Sequence, residues 1–342
     1  MNLLFILVPL ALCVRLTATQ ETVVPSCLGK WVQWSPPLHP AHNTTLACPF
    51  AVESHPGRCS ANRTARVSWP QRRFELDNVP GQSGGCRAFD PPAFLRTMAH
   101  RRLALVGDSV LMQVWQALVC DLYASLPSSN ASSLVRVSSQ ADGHKEVLFL
   151  EHNVTVISSR WDWWYKRGSA AALLSSFGGS DAVVMNFGLH YNEYDGKPAR
   201  DADMIDYAVA LQALSADIAS MQRPHWRLFF AETTPQHFDG HSSGNGYFNL
   251  HRGRSCRPLN ASQAVLHDWR NDMLRNRTLS MLPANVLLVP LPALASQWDA
   301  HREMDEGPGQ GVAAHHLPDC THWCLPSTAL RYICSALFSA VA

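Results

Sequence analysis

Residues that together can form and break an ester bond occur at two distant places in this 342-residue chain. Gly107-Asp108-Ser109 follows an apolar run at 103–106, and Asp319 and His322 lie near the other end. Acyl transfer by a serine needs a nucleophile, a base within hydrogen-bonding reach and an acid that orients the base. These residue types therefore predict Ser109 as nucleophile, His322 as base and Asp319 as orienting acid.

The elements around Ser109 suit that role. The apolar run at 103–106 predicts a strand buried on both faces, as in a parallel sheet. Gly107 permits a sharp turn at the carboxyl end of the strand, the edge where open α/β sheets bind ligands. Apolar spacing over 110–122 predicts a helix, so Ser109 would lie at a helix N-terminus, where N–H groups stabilise developing negative charge. The alternative is that Ser109 only caps this helix.

Asp319 and His322 are expected in a turn just before the last helix. The spacing would keep both side chains on one side, so that the carboxylate holds one imidazole nitrogen while the other faces the serine. Disulfides from Cys320 and Cys324 would make this loop rigid. The alternatives are a turn or cap residue for Asp319 and a surface histidine for His322. A zinc site is a further alternative, with ligands from Cys320, Cys324, His322 and His315 or His316.

Two more segments are predicted at the same sheet edge. Asn186 ends a predicted strand, and its side-chain N–H could bind an oxyanion or, alternatively, satisfy backbone groups in the turn. The next strand runs into a loop that contains His237, and such loops usually carry substrate contacts. The candidate oxyanion and substrate-binding residues are Gly107, Asp108, Asn186, Gly188, His190 and His237.

Short apolar strands alternate with helical patterns from residue 103 onward. The strands are predicted at 103–106, 154–158, 182–186, 227–231 and 286–289, with 146–150 as a hairpin partner of the second. The helices are predicted at 110–122, 170–177, 204–221, 262–281 and 328–341. This alternation predicts an α/β fold, a three-layer α/β/α sandwich with a mostly parallel five-stranded sheet. The catalytic domain would cover 101–342, and the Cys-, Trp- and Pro-rich region at 20–100 would form an irregular, disulfide-braced subdomain packed on it.

Composition describes a globular protein with little electrostatic bias. Charged residues make up 16% and hydrophobic residues 46% of the chain, and the net charge is +1. These values exclude a disordered chain and offer no electrostatic case for nucleic acid or an anionic membrane. The apolar start at 1–19 predicts a cleaved signal peptide, with an uncleaved anchor as the alternative. No membrane span is expected in the mature chain if the signal is cleaved.

Sequons and cysteines agree with entry into the secretory pathway. Six acceptor sequons occur, at Asn43, Asn62, Asn130, Asn153, Asn260 and Asn276. Of the ten cysteines, Cys13 would leave with the signal. The remaining nine should form mostly disulfides in an oxidising compartment, with one left over.

Taken together, these segments resemble the PC-esterase superfamily and, within it, the trichome-birefringence-like polysaccharide O-acetyltransferases. The most specific match is Asp319-Cys320-Thr321-His322-Trp323-Cys324-Leu325-Pro326, and a GDS motif with a distant Asp-x-x-His is a strong joint signal. Further matching segments lie at 27–32, 94–95, 105–109, 115–120, 186–190 and 235–238. Two departures are that Met112-Gln113 replace the usual Arg-Asn, and that Ala231 replaces an expected arginine.

The resemblance implies a GDSL/SGNH-like fold with Ser109, His322 and Asp319 as a catalytic triad. It implies a Golgi or secreted enzyme acting on acetyl esters of a glycan or polysaccharide, with no bound cofactor and an acetyl donor such as acetyl-CoA as co-substrate. It also implies disulfides, with Cys334 free: Cys27–Cys86, Cys48–Cys120, Cys59–Cys324 and Cys256–Cys320. Acetyl transfer, acetyl-ester hydrolysis by the same triad, and glycan binding without catalysis are the functions left open.

Overall fold

The computed structural model describes a subset of the chain that includes the central sheet. The described residues are 24, 26–33, 48–50, 72–76, 86–139, 144–162, 177, 179–191, 201–220, 227–237, 256, 269–278, 286–297, 301–302, 319–325 and 327–341. The predicted signal at 1–19 lies outside them. The helices and strands are, in chain order, β1 (Gly29–Gln33), β2 (Arg72–Leu76), α1 (Pro91–Thr97), β3 (Arg102–Gly107), α2 (Ser109–Ala124), β4 (Val135–Ser139), β5 (Lys145–Phe149), β6 (Val154–Arg160), β7 (Ala182–Asn186), α3 (Asp201–Ser220), β8 (Arg227–Ala231), α4 (Trp269–Met273), β9 (Val286–Val289), β10 (His301–Arg302), β11 (Asp319–Trp323) and α5 (Thr328–Val341).

The central sheet has seven strands in the order β4-β5-β6-β3-β7-β8-β9. The strands β6, β3, β7, β8 and β9 are parallel, and β3 lies between β6 and β7. The predicted α/β fold with a mostly parallel sheet is therefore confirmed, including the antiparallel pairing of β5 with β6. The predicted number of five strands is too low, because β5 and β4 add an antiparallel edge to the five parallel strands. Strand β4 extends the sheet beyond β5. Its sequence does not predict a strand, because its residues are mostly polar and exposed.

Each face of the sheet carries its own core. Leu103 and Leu105 of β3 pack into the cluster formed with α2 and α5, whereas Ala104 and Val106 pack into the cluster formed with α3. This division follows from the two-residue period of a strand. Because helices cover both faces, β3 is apolar on both sides, as its sequence predicts.

The helices that frame the site agree with their sequence patterns. The helix predicted at 110–122 is α2, the one at 204–221 is α3 and the one at 328–341 is α5. Within the helix predicted at 262–281, residues 269–278 are described and form α4 and the π-helical segment Leu274–Thr278. The helix predicted at 170–177 lies outside the described residues except for residue 177, which is in a turn.

The described part of the N-terminal region is more regular than predicted, since it contains α1 and an antiparallel pair of β1 with β2. Trp31 explains why this pair stays on the core. Its indole Nε1 donates a hydrogen bond to the Ala293 carbonyl at 2.7 Å, and its ring lies against Phe74 and Tyr332 of α5. These contacts place β1 and β2 over the α5 side of the sheet.

Candidate active site

Gly107 ends β3 where the neighbouring backbone comes very close. A Cβ atom at this position would overlap the carbonyl oxygen of Asn186 at the end of β7. The Trp161 N–H donates to the Gly107 carbonyl at 2.6 Å, and the Asp108 N–H donates to the Asn186 carbonyl at 3.2 Å. Hydrogen bonds from both neighbouring strands therefore hold the turn into α2. Gly107 is required there because a side chain would prevent the close approach of the Asn186 backbone.

Asp108, rather than Ser109, caps helix α2. Its backbone is extended, and its Oδ1 accepts hydrogen bonds from the N–H groups of Val110 at 3.0 Å and Leu111 at 3.3 Å. The alternative in which Ser109 is the cap is thus wrong, because Ser109 is the first helical residue. Asp108 is fully buried, and this burial raises the pKa of its carboxyl group, an effect that His190 and the two backbone hydrogen bonds partly oppose.

Ser109 and His322 meet although they are far apart in the sequence. His322 Nε2 lies 2.7 Å from Ser109 Oγ, which is hydrogen-bonding distance. Ser109 begins α2 and is 7% exposed, and His322 is half-buried on β11. A base at this distance can take a hydroxyl proton, so the two side chains have the geometry that a nucleophile and its base require.

Asp319 lies three residues before His322 on the same strand. The structure describes its backbone, and its side chain is outside the description. The expected turn is wrong: residues 319–323 form β11, which pairs antiparallel with β10. The orienting role of Asp319 therefore stays a prediction.

Gln113 joins the nucleophile helix to the histidine strand. It lies one turn after Ser109 on α2 and is fully buried. Its Nε2 donates to the Trp323 carbonyl at 2.8 Å, and its Oε1 accepts from the Trp323 N–H at 3.0 Å. Both backbone groups of the residue after His322 are thus bound by a side chain from the helix that begins at Ser109.

His237 lies in the core beside β11, and its predicted substrate contact stays a prediction. It is fully buried, its Nε2 lies 2.9 Å from the Ala295 carbonyl and its Nδ1 lies 2.6 Å from His301 Nε2. His301 in turn places its Nδ1 3.1 Å from the His322 carbonyl. Burial lowers the pKa of His237 to about 4, although the Ala295 carbonyl opposes this change. Burial and then the neighbouring His237 hold the pKa of His301 well below its usual value.

Asn186 and Gly188 hold the end of β7 against the next strand. Asn186 Nδ2 donates to the Ala231 carbonyl at 2.9 Å, which is the backbone-satisfying alternative for this residue. A Cβ atom on Gly188 would overlap Thr233 Oγ1. Arg270 donates to the Gly188 carbonyl at 3.3 Å. Both residues are therefore at the predicted sheet edge, in contacts that shape it.

His190 belongs to a charged group beside the Gly107 turn. Its Nε2 lies 3.3 Å from Asp162 Oδ1, and Arg160 Nε donates to both oxygens of that carboxylate at 3.0 and 3.1 Å. Burial alone would raise the pKa of Asp162, but the hydrogen bonds from His190 and Arg160 outweigh it and hold the pKa at about 2. Asp162 is thus a carboxylate across the neutral range and gives the site edge a fixed negative charge.

The described cysteines support a covalent frame around the site. Cys27 is bonded to Cys86, Cys48 to Cys120 and Cys256 to Cys320, the pairs that the family resemblance implies. Cys324 is disulfide-bonded too, and Cys59, its implied partner, lies outside the described residues. Cys334 is buried and unbonded. Because Cys320 and Cys324 are in disulfides, the zinc alternative that used their thiolates is wrong.

Three of the sequon asparagines are described, and all three are exposed: Asn130, Asn153 and Asn276. Asn43, Asn62 and Asn260 lie outside the described residues. Exposure and disulfides are compatible with a protein of the secretory pathway. In the part of the chain that the structure describes, no helix has both the length and the apolar character to cross a membrane.

Two residues of the site escaped sequence reasoning. Gln113 was noted only as a departure from the family pattern, and His301 was not singled out. Their partners are 210 and 64 residues away, at Trp323 and His237, so no local spacing connects them. The one available signal was Gln113, a polar residue at a position of α2 that faces the apolar core. A buried polar side chain needs a hydrogen-bond partner.

Comparison with known proteins agrees with this geometry. The family model described as "GDSL/SGNH-like Acyl-Esterase family found in Pmr5 and Cas1p" matches residues 87–209 and 156–328. The chain belongs to this PC-esterase family. The matched residues include both Ser109 and His322.

Curated relatives from Arabidopsis thaliana extend the match to most of the chain. Protein trichome birefringence-like 6 is 24% identical over 336 residues, covering 87% of this chain and 66% of that protein. Protein trichome birefringence-like 38 is 25% identical over 75% of this chain and 70% of its own length. Protein trichome birefringence-like 40 is 25% identical over 87% of this chain and 82% of its own length. The resemblance to the trichome-birefringence-like group is confirmed, and the chain spans about two thirds of the first relative.

Proposed function

We propose that the protein transfers acetyl groups to hydroxyls of a glycan or polysaccharide through an acetyl-Ser109 intermediate. The observation that carries this proposal is the 2.7 Å contact between His322 Nε2 and Ser109 Oγ at the start of α2. Membership of an acyl-esterase family supports an acyl substrate. The resemblance to trichome-birefringence-like polysaccharide O-acetyltransferases supports a glycan acceptor.

In the first half-reaction Ser109 takes the acetyl group. The Ser109 hydroxyl proton moves to His322 Nε2 as Oγ bonds to the carbonyl carbon of the donor. The tetrahedral intermediate collapses when the bond to the leaving group breaks, and the leaving group takes the proton from His322. Asp319 would orient the imidazole for both transfers.

Developing negative charge on the carbonyl oxygen needs donors at a fixed position. The N-terminus of α2 would help to stabilise this charge, because helix N-termini carry partial positive charge. Asp108 binds the N–H groups of Val110 and Leu111, which keeps this turn in shape. Asn186 and Gly188 would contribute mainly by fixing the backbone of the neighbouring loop.

In the second half-reaction a hydroxyl attacks acetyl-Ser109. The hydroxyl proton moves to His322, the new ester bond forms, and Ser109 Oγ leaves with the proton from His322. Water in place of a sugar hydroxyl would make the protein an acetylesterase, because the same intermediate serves both reactions. An acetyl donor such as acetyl-CoA, and work in the Golgi lumen or outside the cell, complete the proposal.

The first test is whether Ser109 carries the acetyl group. Wild-type protein is incubated with acetyl-CoA and with a small activated acetyl ester, quenched in acid and digested. Mass spectrometry should then find one added acetyl group on the peptide that contains Ser109, and none in Ser109→Ala. Ser133→Ala, at an exposed serine outside the site, is the matched control and should behave as wild type. Equal acetate release by wild type and Ser109→Ala would refute the nucleophile assignment.

The second test separates transfer from hydrolysis. Isotope-labelled acetyl donor is supplied with xylan, mannan, pectin or sialylated glycans, and the label is measured in glycan and in free acetate. Transfer predicts label in one of these glycans that increases with glycan concentration at the expense of acetate. Label that stays in acetate at every glycan concentration would identify an esterase. Glycan binding with neither product would identify the non-catalytic alternative.

A further inference from the structure

Two buried histidines link the core to the backbone of His322. His237 Nε2 lies 2.9 Å from the Ala295 carbonyl, and its Nδ1 lies 2.6 Å from His301 Nε2. His301 Nδ1 lies 3.1 Å from the His322 carbonyl. The result is one continuous chain of three contacts that ends on the residue facing Ser109.

The number of hydrogens in this chain does not match the number of contacts. Carbonyl oxygens only accept, and two ring nitrogens 2.6 Å apart need a hydrogen between them. Two neutral imidazoles carry one ring hydrogen each. A neutral His237–His301 pair can therefore satisfy the shared contact and one carbonyl, whereas one added proton satisfies all three contacts. The shorter carbonyl contact, 2.9 Å to Ala295 against 3.1 Å to His322, favours Ala295 as the partner of the neutral pair.

We propose that His237 and His301 form a positioning unit that shares a hydrogen and, by taking up one further proton, completes its bond to the His322 carbonyl. The unit acts on His322 through the backbone of β11 and touches neither substrate nor the reacting atoms. Its effect on catalysis rests on the proposed function. The shared hydrogen and the proton uptake are independent of the proposed function.

The surroundings of the two rings determine the pH range in which the added proton binds. Both rings are buried, and the indole of Trp323 is stacked on His301 with ring centroids 3.9 Å apart. Among the described side chains, His322 on β11 is the other titratable group that interacts electrostatically with this pair. It also disfavours an added positive charge on His301. Because a buried charge is costly, the pKa of the pair lies below that of an exposed histidine. Proton uptake is therefore expected on the acid side of neutrality.

The first experiment detects the shared hydrogen without changing the pair. Full-length protein with ¹⁵N-labelled histidine is examined by NMR, in wild type and in Ser109→Ala. We expect a ¹⁵N–¹⁵N coupling between two imidazoles across one strongly downfield hydrogen. On acidification these two rings should take up a single proton in one shared step. Two uncoupled histidines that titrate independently would overturn the proposal, whether or not the protein has acyl activity.

The second experiment separates the two contacts of His301. The amide nitrogen of asparagine occupies roughly the place of histidine Nδ1, and that of glutamine the place of Nε2. His301→Asn should keep the donor to the His322 carbonyl at every pH, and His301→Gln should keep only the contact with His237. At a pH below the shared titration step, where wild type has this bond, we expect kcat within about twofold of wild type for His301→Asn and about tenfold lower for His301→Gln, with KM unchanged in both.

The pH profile provides a readout that a structural role alone would not change. The ratio of kcat for wild type to kcat for His301→Asn should rise as the pH falls through the shared titration step, because only wild type gains a bond there. Taking a ratio cancels the pH effects that the two proteins share. His152→Gln, at a half-buried histidine outside the chain of contacts, is the control and should show a flat ratio. Equal kcat values for His301→Asn and His301→Gln, or a flat wild-type ratio, would overturn the positioning role. If the coupling is present but no variant has acyl activity, the proposed function fails and the pairing is retained.

Discussion

Adjacent residues divide the work at the start of α2. Asp108 supplies the cap, and this leaves the Ser109 hydroxyl to pair with His322 at 2.7 Å. A serine in the cap position would accept a hydrogen bond from a backbone N–H of the helix with its side-chain oxygen, and that oxygen would be turned toward the helix. The motif Gly-Asp-Ser thus combines a close backbone approach, a helix cap and the proposed nucleophile in three consecutive residues.

The buried carboxyl group of Asp108 makes stability depend on pH in a defined direction. Burial raises its pKa above the ordinary 3.8, so the native state holds its proton more tightly than the unfolded state. The stabilisation from this proton is complete below 3.8 and is lost as the pH rises through the higher native value. Asp108→Asn keeps a good capping oxygen without this titration.

We therefore expect the free energy of unfolding of Asp108→Asn, relative to that of wild type, to increase as the pH rises above 3.8. Asp108→Ala, which loses the cap, should be about 1 kcal/mol less stable than Asp108→Asn. Urea unfolding of the three proteins at a series of pH values measures both effects. A constant difference between Asp108→Asn and wild type across the series would contradict the burial argument.

Two elements carry the reacting pair, and one side chain joins them. Helix α2 begins at Ser109 and β11 contains His322, while Gln113 binds both backbone groups of Trp323. A helix and a strand that are joined by a paired amide can move only together. The Ser109–His322 distance is therefore set by Gln113 as well as by the two residues themselves.

Replacement of Gln113 should reduce turnover more than substrate binding. Gln113→Met keeps a similar volume but leaves the Trp323 N–H and carbonyl without this partner inside the protein. Each unpaired buried group costs about 1–3 kcal/mol, so we expect lower stability and a kcat that falls about tenfold. Thermal unfolding and steady-state kinetics with one acetyl donor measure the two effects.

Gln116→Met is the matched control for this change. Gln116 is also buried on α2, but its side-chain amide has no hydrogen-bond partner among the described residues. Removal of that amide should leave kcat unchanged and should maintain or increase stability. Equal losses in the two variants would show that Gln113 contributes only by packing.

Local pattern was sufficient for the elements that form the core. The five parallel strands are mainly short apolar runs, and α2 and α5 have clear helical spacing of apolar residues. The pattern of apolar residues is therefore enough to predict them. Strand β4 was missed because its residues are mostly exposed and polar. The sequence predicts a turn where β11 lies, because the pairing of β11 with β10 and its contact with Gln113 join distant parts of the chain.

The same limit applies to the site. Ser109, His322 and Asp319 were predicted because their residue types carry the chemistry. His237 was placed at the substrate because it follows a strand at the ligand-binding edge. Its burial against His301 could not be foreseen, since it depends on how β10 folds back onto β11. Residue type can indicate candidate reacting groups, whereas the contacts that hold those groups depend on the fold.

At the scale of the whole molecule, disulfides connect the site to the rest of the chain in two different ways. Cys48–Cys120 ties the N-terminal region to the far end of α2, about 16 Å along the helix from Ser109. Cys256–Cys320 fixes β11 two residues before His322. The two bonds span 72 and 64 residues, so their loop-closure entropies are nearly equal.

Because the loops match, the two bonds should stabilise the fold alike and differ in their effect on catalysis. The double variants Cys48→Ala/Cys120→Ala and Cys256→Ala/Cys320→Ala should each lose about 2–5 kcal/mol of unfolding free energy. At a temperature where both remain folded, only the second should show a reduced kcat, because only its bond restrains the strand that carries His322. Chemical denaturation and kinetics on the same preparations provide the comparison. A kcat loss that follows the stability loss in both variants would mean that the disulfides support the enzyme only by keeping it folded.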